Sequence, residues 1–298
     1  MKRIPFLILL LLFLSGCQAQ QPPAQIAATT LPVYEFTAAL CEGTPISVTR
    51  LVTEEVSCLH DYSLNVRQVK AVEAADTIVI SGAGLEAFLD DLLSQTDTID
   101  ASRGIQLINS GETEHHHGHE EVEDHHGHEG HHHDEDPHIW LSPENAMVMA
   151  ETICTGLSER YPEYADRFSA NLQLLLGRMA ALQTYGEEAL ASLSCRELIT
   201  FHDGFAYLAN SFDLTILEAV EEESGSEASA RELIHLIEEV EHHQLPAIFT
   251  EKSGSISAAG IIARETGAGC YTLDMAMSGD SWFAAMYHNI DTLKEALQ

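Results

Sequence analysis

Two runs of short apolar segments alternating with amphipathic ones, parted by one amphipathic stretch of nearly thirty residues, constrain this chain more than any other feature. In the first run, Ile26 to Thr30, Ile46 to Val52, Thr77 to Ser81 and Ile105 to Asn109 read as strands. Leu31 to Leu40, Val66 to Ala74 and Leu85 to Leu93 read as helices. In the second, Glu197 to Phe201, Leu214 to Ala219, Ala247 to Thr250 and Cys270 to Leu273 read as strands with helices between them. One of these helices opens on the capping-box pattern Ser229-Ala230-Arg231-Glu232 and runs to His242. Such alternation predicts parallel sheets covered on both faces. Between the runs, Pro143 to Arg160 and Glu163 to about Ser192 are helical. In the latter, Phe168, Leu172, Leu175, Leu176, Met179 and Leu182 form one stripe. At 1.5 Å per residue that stretch reaches about 45 Å, long for a helix inside one domain. The expected fold is α/β: two lobes (residues 26–160 and 193–298), each a parallel β-sheet flanked by helices, joined by one long rigid helix over 161–192.

Residues 111–136 break the pattern with ten histidines, ten acids and almost nothing apolar. A segment of this composition buries no core and is expected as a mobile loop. Its histidines are His115, His116, His117, His119, His125, His126, His128, His131, His132 and His133. They suit a collector that holds a metal weakly beside His138. His128-Glu129-Gly130-His131-His132 matches the H-E-x-x-H protease signature by letter only. That motif works on a helix, and glycines with no apolar face argue against one here.

The N-terminus reads as a leader. Lys2 and Arg3 precede the apolar run Phe6 to Leu14, which is too short to span a bilayer. Residues 1–16 therefore read as a secretory signal peptide. The run ends Leu14-Ser15-Gly16-Cys17, which resembles the bacterial lipobox and implies cleavage before Cys17 and a lipid on its sulfur. Residues 17–25 are the tether, and multiple acyl chains anchor stably where one does not. An anchored exported protein fits a Gram-positive-type envelope, which has no outer membrane to retain it. Cys41, Cys58, Cys154, Cys195 and Cys270 remain after Cys17, an odd number with no C-x-x-C pair. A cysteine-based zinc site is not expected, and Cys41 and Cys58, which flank a short strand, are candidates to pair. With 14 basic residues against 47 acidic ones, the net charge of −33 excludes nucleic acid as a partner and favours cations.

Three histidines outside the loop share a context. His60 follows the second strand, His138 lies in Asp136-Pro137-His138-Ile139-Trp140, and His202 ends the strand Leu198 to Phe201. Asp274 likewise ends the strand Tyr271 to Leu273. Ligands of open α/β sheets bind outside the carboxyl ends of the strands, so a cleft between the lobes would gather these four residues. Three imidazoles and one carboxylate make a tetrahedral set suited to Zn²⁺, and four protein ligands favour binding over hydrolysis. Asp61, Asp136 and Asp203 neighbour the histidines as outer partners or as helix caps. His242 and His243 end a helix, where the dipole favours positive charge. His235 and His288 read as solvated or packed on helices.

The chain resembles the zinc/manganese receptors among ABC-transporter solute-binding proteins over almost all of its length. The resemblance rests on His60-Asp61-Tyr62-Ser63-Leu64, Ala74-Ala75-Asp76, Gly82-Ala83-Gly84-Leu85-Glu86, Asp136-Pro137-His138-Ile139-Trp140-Leu141, Phe201-His202-Asp203-Gly204-Phe205 and Leu273-Asp274. It implies two α/β lobes on a rigid helix with the metal between them, held by His60, His138, His202 and Asp274. The family's His-x-Tyr-Glu-Pro reads His-Asp-Tyr-Ser-Leu here, and Met275 replaces its Pro after the last Asp. Zinc members of the family also use Glu or water as fourth ligand, so Glu54 and Glu55 compete with Asp274. Imidazole at position 202 points to zinc, whereas manganese members resemble a two-His, two-carboxylate site. The expected function is lipid-anchored, monomeric capture of Zn²⁺ for delivery to ABC permease membrane subunits. A manganese receptor is the alternative within the family, and a secreted zinc-dependent hydrolase the alternative outside it.

Overall fold

The computed structural model describes residues 25–56, 59, 62–93, 96–109, 135–220, 229–254 and 256–298. The N-terminal lobe carries β1 (Gln25–Ala28), α1 (Leu31–Leu40), β2 (Ser47–Arg50), α2 (Val66–Ala74), β3 (Thr77–Ile80), α3 (Asp90–Leu93) and β4 (Thr98–Asp100). Two long helices follow, α4 (Pro143–Arg160) and α5 (Ala165–Leu190). The C-terminal lobe carries β5 (Glu197–Phe201), α6 (Ala206–Ser211), β6 (Thr215–Ala219), α7 (Ala230–His243), β7 (Ala247–Glu251), α8 (Ser257–Thr266), β8 (Gly269–Leu273) and α9 (Trp282–Leu297). The strand orders are β2-β1-β3-β4 and β6-β5-β7-β8, and the pairings are parallel. The expected two-lobe α/β architecture is thus present. Its connecting helix α5, at 26 residues, is about 39 Å long at 1.5 Å per residue.

Two boundaries differ from expectation, each for a local reason. The fourth strand of the first sheet is Thr98–Asp100, a three-residue segment with a single apolar side chain that leaves little pattern to read. The apolar segment 105–109 instead runs beside the approach to His138: Asp136 N–H donates to the Ile108 carbonyl at 2.8 Å, and Asn109 bridges Glu135. The helix expected from Leu85 shrinks to a 3-10 turn, Ala87–Leu89, followed by α3. Gly82, Ala83 and Gly84 all have positive φ, and Glu86 is turned inward. A side chain at Gly82 (φ +84°) would put its Cβ 2.0 Å from Asp100 Oδ1, so the turn requires glycine there.

Each sheet is covered on one face by its own helices. In the N-terminal lobe, α2 and the segment around Leu89 pack on Ala27, Ile78 and Ile80. In the C-terminal lobe, α7 and α8 pack on Ile199, Phe201 and Ile248. The opposite faces join in one core that runs through both lobes and contains α1, α4, α5 and α9. Both tryptophans sit in this core with no exposure. Trp140 Nε1–H donates to the Met275 carbonyl at 2.8 Å, and Trp282 Nε1–H donates to the Trp140 carbonyl at 3.0 Å. Glu35 of α1 accepts from Trp282 N–H at 2.6 Å and Ser281 Oγ at 3.1 Å, which caps α9 from the other lobe. Arg50 donates to the Gly279 carbonyl at 2.7 Å. The lobes therefore share a packed, hydrogen-bonded seam, and wide hinge opening would have to break it.

Trp282→Ala should cost about 3–5 kcal/mol of unfolding free energy, the usual range for an emptied aromatic site, read by urea denaturation. A loss under about 1 kcal/mol would contradict the shared core. Glu86 accepts from Thr29 Oγ1, Ser81 N–H and Gly82 N–H at 2.6, 2.7 and 3.0 Å, yet burial pushes its carboxyl up to about 7. The folded chain then holds a proton at Glu86 that the unfolded chain has already released. Stability from this group is present below the unfolded carboxyl range and is lost as pH rises through about 7. Melting temperature should fall from pH 5 to pH 8 by more in the parent chain than in Glu86→Gln; equal slopes would contradict the assignment.

Candidate metal centre

His138 and His202 come from different lobes and meet at the seam. Their rings pack edge to face with centroids 5.2 Å apart. His138 is 2% exposed and sits between Asp136 and a 3-10 turn, Ile139–Leu141, whose residues are all buried. Asp136 Oδ1 accepts from the His138 backbone N–H at 2.8 Å and lies 2.8 Å from its Nδ1. A carboxylate only accepts, so the ring proton resides on Nδ1 and the lone pair on Nε2. That Nε2 is buried and has no hydrogen-bond partner among the described residues. Asp136 Oδ2 is likewise buried without one. A buried acceptor lone pair and an under-compensated carboxylate together make a pocket that favours a cation.

The strand β5 positions His202, and Thr200 Oγ1 fixes its carbonyl at 2.9 Å. Its Nδ1 lies 3.8 Å from Asp203 Oδ1, beyond a hydrogen bond. Gly204 allows the two histidine segments to approach: a Cβ there would lie 2.7 Å from His138 Nδ1 and 2.6 Å from Met275 Cε. Tyr207, on α6 of the same segment, donates to the Asp136 carbonyl at 3.0 Å and accepts from Ile108 N–H at 3.0 Å. Burial pushes its hydroxyl up to about 12, so it remains a donor. Sequence reasoning missed Tyr207. Its five-residue offset from His202 was the available signal, but only the packing shows that it grips the backbone of the partner histidine's segment.

Asp274 ends β8 as expected, with its backbone clamped by Asn289: Asp274 N–H donates to Oδ1 and Nδ2 donates to the Asp274 carbonyl, both at 2.7 Å. Its carboxylate faces other partners, accepting from Ala276 N–H at 2.8 Å and lying 3.3 Å from Lys252 Nζ. The ligand atoms of His138, His202 and Asp274 do not all lie within 4.8 Å of one another. Glu54, the upstream competitor, accepts from Tyr62, Gln68 and Asn65 at 3.0, 3.3 and 3.4 Å, and Glu55 is exposed. A cavity of about 570 Å³ opens along the β2 edge, but Arg50 and Arg67 line it and would repel a metal cation. Cys17, Cys58, His60, Asp61 and the ten histidines from His115 to His133 lie outside the described residues. Among the described residues Cys41, Cys154, Cys195 and Cys270 form no disulfide with one another, the candidate Cys41–Cys58 pair involves a residue outside them, and burial pushes the Cys41 thiol up to about 12.

Comparison with known proteins bears on this geometry. The model of the family described as zinc-uptake complex component A, periplasmic, matches residues 26–296. The prokaryotic membrane lipoprotein lipid attachment site matches residues 1–18, which supports an extracytoplasmic, membrane-anchored location. The zinc-binding lipoprotein AdcA of Streptococcus pneumoniae serotype 4 is 31% identical over 99% of this chain. The chain spans about three fifths of that relative's length, 61%. A crystal structure of ZnuA superposes with TM-score 0.75 at 27% identity, covering 92% of this chain and 100% of that one. The Zn(II)-bound ZnuA-like domain of Streptococcus pneumoniae AdcA superposes with TM-score 0.75 at 25% identity, covering 92% and 99%. The chain belongs to the ZnuA family of zinc-uptake components.

Proposed function

We propose that this protein captures Zn²⁺ at the seam between its lobes and delivers it to the membrane subunits of an ABC permease. The observation that carries this reading is the buried, acceptor-only Nε2 of His138, held by Asp136 and set against the His202 ring. His60, His138 and His202 supply three imidazoles and Asp274 the oxygen, with residues 26–160 and 193–298 as lobes and 161–192 as the linking helix. An imidazole-rich set favours zinc over manganese. The zinc-bound state of the AdcA domain supports the same choice. Four protein ligands leave no position for an activated water, which supports a receptor rather than a hydrolase. Histidines 115–133, which precede His138 along the chain, collect zinc weakly. A lipid on Cys17 holds the monomer at a Gram-positive-type membrane.

The mechanism follows from the shared core. With Trp140 and Trp282 bonding across the seam and the Asp274 backbone clamped by Asn289, metal entry turns side chains at the cleft, the Asp274 carboxylate among them, rather than whole lobes. Asp274 must exchange Lys252 for the metal, so zinc binding frees an ammonium group at the cleft. The permease distinguishes the loaded form by that local rearrangement, and it must dock across both lobes to do so.

Calorimetric titration tests these assignments. His138→Ala and His202→Ala should each weaken the tight site by more than about 100-fold, beyond the usual effect of an outer-shell change. Gly204→Ala and Asp136→Asn should weaken it by about 10–100-fold, because they displace or misorient His138 without removing a ligand. Deletion of 112–135 should remove weak sites only; loss of the tight site would contradict that division. Affinity should fall as the solution is acidified, because protons compete with the metal for the imidazole nitrogens. A pH-independent affinity between pH 5 and 7.5 would exclude an imidazole cage.

A further inference from the structure

We infer a second divalent-metal site on the C-terminal lobe, built from Glu239, His242 and His243 at the end of α7 with Glu197 of β5 behind it. The ligand-capable atoms of Glu239, His242 and His243 all lie within 4.8 Å of one another. His243 Nδ1 is 3.0 Å from Glu197 Oε2, and His243 Nε2 is 3.6 Å from Glu239 Oε2. The carboxylate of Glu197 only accepts, so in the neutral ring it holds the proton on Nδ1 and turns the Nε2 lone pair towards Glu239, the face a metal would share. A carboxylate behind a histidine is also the arrangement that orients imidazole towards a metal.

The dimensions fit. Bonds of about 2.0–2.2 Å in a tetrahedron place ligand atoms roughly 3.4 Å apart, and the Glu239–His243 pair already stands near that edge length. His242 lies beside them, its ring edge-on to that of His243 with centroids 4.8 Å apart, so a side-chain rotation completes the third vertex. The site lies in the last turn of α7, where the helix dipole favours positive charge, and Glu238 and Glu241 add to the field. Two nitrogens and one carboxylate oxygen select a late first-row divalent ion of the zinc class, with water as the fourth ligand.

This site is separate from the cleft. Glu197 begins β5 and His202 follows its end, so at about 3.3 Å per residue roughly 16 Å of strand parts them. It sits at the amino end of the strands, and the capture reading is independent of it. Its consequence is stoichiometric: the C-terminal lobe takes up a zinc-class ion that neither the cleft nor the histidine-rich segment accounts for.

Diethylpyrocarbonate footprinting of the full chain, read by peptide mass spectrometry with and without zinc, tests the site residue by residue. Modification of His242 and His243 should slow about tenfold when free zinc stands about ten times above the dissociation constant, because only the unliganded fraction reacts. His235 and His288 should react at the same rate with and without zinc. Glu239→Gln should abolish protection at His242 and His243 while leaving that of His138 and His202 unchanged. Zinc-independent rates at His242 and His243 would overturn the site, as would protection that survives Glu239→Gln. Loss of protection at His138 alone would count against the cleft reading and not against this one.

Discussion

The orientation of one buried imidazole governs the rest. Asp136 accepts twice from His138, once from its backbone and once from its ring, and so commits the ring's free lone pair to the seam. Asp136 is held in turn by Tyr207, which follows His202 on the other lobe. The two histidines are therefore not independent side chains that happen to face each other. They are ends of one hydrogen-bonded unit that crosses the lobe boundary, and Gly204 supplies the close approach that unit requires.

The same boundary limits how far the two lobes can hinge. One core threads both lobes through α1, α4, α5 and α9, and the two tryptophans bond across it in sequence. Interiors at crystal-like density resist continuous deformation, so freedom to rearrange is left to side chains at the rim rather than to the packed interior. Asp274 fits that division. Its backbone is fixed by the fully buried Asn289, while its carboxylate is engaged with a half-exposed lysine that solvent can replace.

Much of this was legible in the sequence. The alternation of strands and helices gave two parallel sheets, and the stripe from Phe168 to Leu182 gave the connecting helix almost to its ends. His138 and His202 stood out because each lies at a strand end or in a turn rather than on a helix face. What sequence could not show is tertiary in origin. The three residues of β4 carry one apolar side chain and exist because β3 offers an edge. The helix after Gly84 starts late because Glu86 is needed inside to satisfy Ser81 and Gly82. Tyr207 and Glu35 act through backbone atoms more than seventy residues away in the chain, and no local pattern records that. His242 and His243 read as a helix-end pair bound to the dipole until β5 places Glu197 behind His243.

The central claim is that residues 138 and 202 share one metal ion. A crystal structure of the protein loaded with one equivalent of zinc, recorded on both sides of the zinc absorption edge, tests it most directly. The account predicts one strong anomalous peak about 2.0–2.1 Å from Nε2 of both His138 and His202, with the Asp136 contact to Nδ1 retained. A peak elsewhere, with the two rings still packed against each other and bonded to no common atom, would contradict it.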